Sequence, residues 1–65
     1  GHSRRGAKDY IQFISIAIGS SAELETQILL ALDLEYVTQA QTDGIPERLH
    51  SIQRMLHRLR QSLQG

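Results

Sequence analysis

Cysteine is absent from this 65-residue chain. That excludes disulfide staples, thiolate chemistry and sulfur-ligated metal sites. Tryptophan is absent as well, and Tyr10, Phe13 and Tyr36 are the whole aromatic complement. Proline occurs once, at Pro46, so little interrupts a helical reading. There is no basic start followed by an apolar core of the signal-peptide type. No unbroken run reaches the ~18 apolar residues of a membrane span. These features set the expectation of a cytoplasmic protein with no membrane partner. No glycine-rich loop and no nucleophile beside a base stand out, so neither a small-molecule substrate nor a cofactor is expected. The chain is short for a core of its own, because a small domain without staples buries only a modest share of its surface.

Charge of one sign is missing from each part of the chain in turn. All seven acidic residues lie between Asp9 and Glu47, and all seven Lys and Arg residues lie outside that stretch. Arg4, Arg5 and Lys8 precede it, while Arg48, Arg54, Arg58 and Arg60 follow it. The formal net charge of zero therefore conceals a basic–acidic–basic order. Folded in half, such a chain gathers both basic ends at one pole and leaves an acidic turn at the other.

The apolar pattern asks for that fold. Ile11, Ile14, Ile18, Ser21, Glu25, Ile28 and Leu32 follow a heptad seam. A second stripe through Tyr10, Phe13, Ala17, Leu24 and Ala31 runs beside it, and Ile16, Leu29 and Leu30 widen the apolar surface. One partner helix cannot cover so broad an arc. The spacing predicts a first helix over about 7–34, a turn over 35–38, a kinked or broken segment over 39–45, and a second helix over about 45–63. In the second helix the ladder is Ile45, Leu49, Ile52, Leu56, Leu59 and Leu63, broadened by Met55. Thr38 and Gln41 have capping-box spacing, and Pro46 fits the first turn of the second helix behind Asp43 or Gly44 as cap. The fold class is all-α: an antiparallel helical hairpin, half of a four-helix bundle completed by self-association or by a preceding half. The expected oligomer interface is the first-helix seam of Ile11, Ile14, Ile18, Ser21, Glu25, Ile28 and Leu32. Gly19 joins it: mid-helix glycine costs ~1 kcal/mol against alanine, which fits close backbone approach and a tolerated weak spot equally.

The candidate binding site is the basic pole: Arg4, Arg5 and Lys8 from one end of the chain, Arg54, Arg58 and Arg60 from the other. Cationic groups are what phosphate contacts require, and the absence of a base-reading motif points to weak sequence specificity. Glu47 and His50 have the Glu-x-x-His spacing of a di-iron bundle. They flank Leu49 on the apolar ladder, so no metal site is expected. Glu23 and Glu25 are two residues apart and point to different sides of a helix, which does not make an acid–base pair. Glu25 on the seam is a polar group that can set register. No catalytic residue is assigned.

The run Arg4-Arg5-Gly6-Ala7-Lys8-Asp9-Tyr10-Ile11-Gln12-Phe13, followed by Ala17-Ile18-Gly19-Ser20-Ser21-Ala22-Glu23-Leu24-Glu25-Thr26-Gln27, resembles the third helix of bacterial four-helix bundle proteins. That family comprises the 23S rRNA intervening-sequence proteins; the accessory variability determinant of diversity-generating retroelements is a relative. Ile52-Gln53-Arg54-Met55-Leu56 resembles the fourth helix. The resemblance spans about residues 1–63. It implies a non-enzymatic bundle module, homo-oligomeric, with ribosomal RNA or a reverse-transcriptase complex as context. It also implies that the chain corresponds to the C-terminal half of such a protein, with Gly1-His2-Ser3-Arg4 where the joining segment stands. Two departures follow. Glu35 occupies a turn position where the family has glycine, so it must take a positive φ or the turn must differ. Gly44 and Pro46 fall where the family's fourth helix runs unbroken. The competing reading is a protein-assembly module whose charges serve docking between subunits.

Overall fold

A computed structural model describes the backbone of residues 2–64 and the side chains of residues 6–64. Two helices account for most of it: α1 over His2–Asp33 and α2 over Ile45–Gln64, with no strand among the described residues. They pack antiparallel as a rod with extents of 49 × 16 × 14 Å. Gly6 breaks α1 with non-helical φ and ψ of −29° and −132°, a geometry that glycine tolerates for want of a Cβ. The continuous helix therefore runs from Gly6 to Asp33.

The turn is built by local chemistry. Tyr36 N–H donates to Ala31 C=O at 2.8 Å and Glu35 N–H to Leu32 C=O at 3.1 Å. That is the paired closure of a Schellman motif, and it holds Glu35 at φ 63°. Glutamate thus takes the left-handed backbone that the family's glycine would take. One helical turn follows. Thr38 N–H donates to Gln41 Oε1 at 2.9 Å, and Gln41 N–H donates to Thr38 Oγ1 at 3.2 Å, a reciprocal capping box. Thr42 is buried there, and its hydroxyl donates to the carbonyls of Thr38 and Gln39. Gly44, at φ 79°, then starts α2, its carbonyl accepting from Arg48 N–H at 3.2 Å. Pro46 sits in the first turn, where a missing N–H costs nothing.

The seam between the helices is narrow. Ile14 and Leu49, each 8% exposed, are its buried apolar residues. On α1 it runs through Ile11, Ile14, Ile18, Ser21, Glu25, Ile28 and Leu32, all buried or half-buried. These are the heptad positions expected to bind another copy. They pack within the chain, against α2. Gly19 is exposed on another side of α1, and a Cβ there would meet nothing within 4 Å. Within the hairpin no close approach explains this glycine.

On α2 the seam is Pro46, Leu49, Gln53, Leu56, Arg60 and Leu63. Three rungs of the apolar ladder, Ile45, Ile52 and Leu59, are instead exposed beside it. The ladder is rotated relative to the seam, and the exposed rungs face a different direction from α1. α1 also contains an 18-residue window of mean hydropathy 1.2 within Gly6–Asp33, enough by length and composition to cross a membrane. Its middle carries Ser20, Ser21, Glu23 and Glu25, and one side packs on α2. That is the composition of a bundle helix with more than one neighbour.

Candidate nucleic-acid interface

Two cross-helix bonds fix the height of every charged group. Ser15 Oγ accepts from Arg60 Nη1 at 2.9 Å, and Glu25 Oε2 accepts from His50 Nε2 at 2.5 Å. In both bonds the residue numbers add to 75, so one antiparallel register holds along the rod. It places Arg58 beside Ala17 and Arg54 beside Ser21. Lys8 lies beyond the end of α2.

Lys8 and the arginines of α2 therefore do not form one compact cluster. At ~1.5 Å of rise per residue, Lys8 is separated from Arg54 by about 20 Å along the axis. Arg54 and Arg58 stand one turn apart and share the side of α2 turned away from α1. Both are exposed. Arg60 is half-buried on the seam, where its guanidinium also donates through Nη2 to His57 Nδ1 at 3.2 Å. Arg54 Nη2 donates to Ser51 Oγ at 3.3 Å, within its own helix. The side chains of Arg4 and Arg5 lie outside the described residues. Of the four expected phosphate-binding residues whose side chains are described, Arg54 and Arg58 form one patch, Arg60 is tied to its neighbours, and Lys8 is about 20 Å from Arg54 along the axis.

The pattern along α2 is more informative than the pole. From Arg48 to Gln64 the helix contains no acidic residue, and the single ion pair among the described residues is His50 with Glu25. That pair was not legible in the sequence, because its register depends on how many residues the turn consumes. The His50 side chain is half exposed and bonds across the seam. Glu25, the polar residue of the heptad seam, is half-buried, and its partner shows how it can hold the register. Glu47 lies elsewhere on α2. No group of three metal-ligating side chains occurs among the described residues.

The Arg4–Phe13 and Ala17–Gln27 runs that carry the resemblance lie on α1, and Ile52-Gln53-Arg54-Met55-Leu56 lies on α2. Comparison with protein families matches residues 1–58 to the family described as 23S rRNA-intervening sequence protein. The chain belongs to that family. None of the curated proteins and none of the solved structures compared with it matches. In this 23S rRNA-intervening sequence family member, Glu35 takes the positive φ expected if the turn is kept. The Pro46 departure is absorbed by a helix start at Ile45.

Proposed function

We propose that this family member is a helical bundle module that self-associates and presents the outer side of α2 beyond Glu47 to RNA or to an RNA-bound protein. The observation that carries the RNA reading is the run from Arg48 to Gln64. It places Arg54, Arg58 and His57 on exposed surface with no carboxylate among them. Such a stripe suits phosphate groups spaced along a strand, and the family's description names an RNA. Nothing in the stripe reads bases, so affinity follows backbone charge rather than sequence.

Fluorescence anisotropy with an RNA stem, titrated at several salt concentrations, tests this. Arg54→Glu and Arg58→Glu should each weaken binding by about tenfold or more, and flatten the salt dependence by roughly one unit of log–log slope per lost contact. Arg48→Glu, toward the acidic turn, should have a smaller effect. If folded Arg54→Glu and Arg58→Glu proteins bind like the wild type, the RNA reading fails.

The alternative is a pure assembly module. The observation favouring it is the apolar surface left outside the seam, including Phe13 at 65% exposure and Met55 at 58%. Soluble monomers rarely expose contiguous apolar surface of this extent. The two readings are separable because RNA affinity and oligomeric state are measured independently.

A further inference from the structure

On α2, His50, Arg54, His57 and Gln61 share helical spacing and line one flank of the hairpin, all of them exposed. Ile52 and Leu59 lie on the opposite flank. Both histidines of this polar stripe are hydrogen-bonded, and the bonds differ in kind. His50 Nε2 meets a carboxylate, Glu25 Oε2. A carboxylate accepts from neutral imidazole and from imidazolium alike. His57 Nδ1 meets a guanidinium, Arg60 Nη2, at 3.2 Å. A guanidinium has donors and no acceptor. His57 Nδ1 is therefore the acceptor in this bond, and the ring carries its proton on Nε2. An imidazolium has a donor at both nitrogens and cannot make this bond.

The surroundings of His57 are cationic. On its own helix, Arg54 and Arg60 stand one turn to either side and Arg58 is adjacent. Across the seam the register places Ile18 opposite, with Ser15, Gly19 and Ala22 along the same flank of α1. None of these is charged. Glu25, the carboxylate of that flank, is about 10 Å along the axis and engaged by His50. Glu23 projects from a different side of α1, and Asp9 and Glu47 are about 13–15 Å along the axis. Lys8 adds a cation at about 15 Å. The cluster therefore lacks an anion, and a phosphodiester is one.

An opposite charge close to a titratable group favours its charged form. We infer that RNA binding at this cluster takes up one proton, at His57 Nδ1, and thereby releases Arg60. The proton comes from solvent. The imidazolium then donates to a phosphate oxygen. Arg60 Nη2, having lost its acceptor, donates to the same phosphate, while Nη1 stays on Ser15 Oγ. The inference rests on the RNA reading above and deepens it. It adds His57 and Arg60 to Arg54 and Arg58 as phosphate contacts, with a proton as the condition for the added pair. Linkage makes the effect reciprocal: RNA favours the proton, and the proton favours RNA.

The test is the anisotropy titration with a labelled RNA stem, repeated across about pH 6 to 8, where imidazole changes charge, at constant ionic strength. Wild-type Kd should rise by about tenfold over that range; one proton allows at most about tenfold per pH unit. His57→Gln keeps an acceptor for Arg60 but cannot take up the proton. It should bind like the wild type near pH 8 and fail to tighten toward pH 6. His2→Gln and His50→Gln should keep the wild-type profile. Arg60→Met should weaken binding more at pH 6 than at pH 8. Circular dichroism checks that each variant is helical. Nitrogen-15 NMR of the imidazole supplies a readout independent of affinity. Near pH 7, His57 should be protonated on Nε2 alone in the free protein and on both nitrogens when saturated with RNA. A pH-independent Kd overturns the inference, as does a pH dependence that survives His57→Gln. If Arg54→Glu and Arg58→Glu still weaken binding in either case, the RNA reading stands without the proton. If they do not, both fall together.

Discussion

Glu35 is held at φ 63° by the hydrogen bonds that close α1. The bond from Tyr36 N–H to Ala31 C=O cannot form unless the intervening residue turns left-handed. A side chain with a Cβ is disfavoured there by roughly 1–2 kcal/mol. Glycine removes that strain but releases more conformational freedom in the unfolded chain, which offsets part of the gain. Glu35→Gly is therefore expected to stabilise the fold by about 0.5–1 kcal/mol, read as a higher urea midpoint at unchanged slope. Glu35→Asn should fall between the two. A lower midpoint for Glu35→Gly would mean that the glutamate side chain makes a compensating contact. At this scale the sequence was readable where chemistry is local. The Thr38–Gln41 capping box needs only a spacing of three residues. The Glu25–His50 bond spans 25 positions and depends on the length of the turn, so no local pattern announces it.

The two helices differ in how well their packing could be read. On α1 the heptad positions from Ile11 to Leu32 coincide with the seam. On α2 the apolar ladder and the seam share Leu49, Leu56 and Leu63, but the seam takes Pro46, Gln53 and Arg60 where the ladder has Ile45, Ile52 and Leu59. A sequence shows where a helix is apolar, not which neighbour each part of the arc faces. For a helix with two neighbours the middle of the arc points between them, and half of it turns away from either. For the candidate site, the charge runs of the sequence suggest a basic end, while the tethering of Arg60 to Ser15 and the distance of Lys8 from Arg54 required the register. Gln53 is the residue most affected by this rotation. Its Nε2 is buried with no hydrogen-bond partner, and an unpaired buried donor costs about 1–3 kcal/mol. Gln53→Leu should raise stability by about 1 kcal/mol. Ile52→Ala, one residue along and outside the seam, should lower it through lost contact with whatever covers the apolar face. Equilibrium denaturation of both variants checks the contrast. A destabilised Gln53→Leu protein would show that the amide has a partner in the assembly and acts as a register device.

At the scale of the whole molecule, one side of a 49 Å rod is apolar, the other is polar and cross-linked, and the ends differ in charge. The seam alone buries Ile14 and Leu49 as its apolar core, too little to offset the conformational entropy of ordering a chain of this length. Folding is therefore expected to be coupled to association. When association and folding are one step, the midpoint of thermal unfolding depends on protein concentration, because dilution favours the dissociated chains. A hundredfold increase in concentration should raise Tm by several degrees, with the same shift whether the transition is followed by circular dichroism or by scattering. Salt gives a second handle on the same equilibrium. The acid-free stretch of α2 brings like charges together wherever two copies pack α2 against α2, and salt screens that repulsion within about 10 Å at 0.1 M. Raising salt should therefore raise Tm, while it weakens any RNA complex by the opposite route of counterion competition. A Tm that is independent of concentration, with full helicity retained at high dilution, would show that the hairpin folds without a partner. The apolar face would then have to be accounted for in some other way.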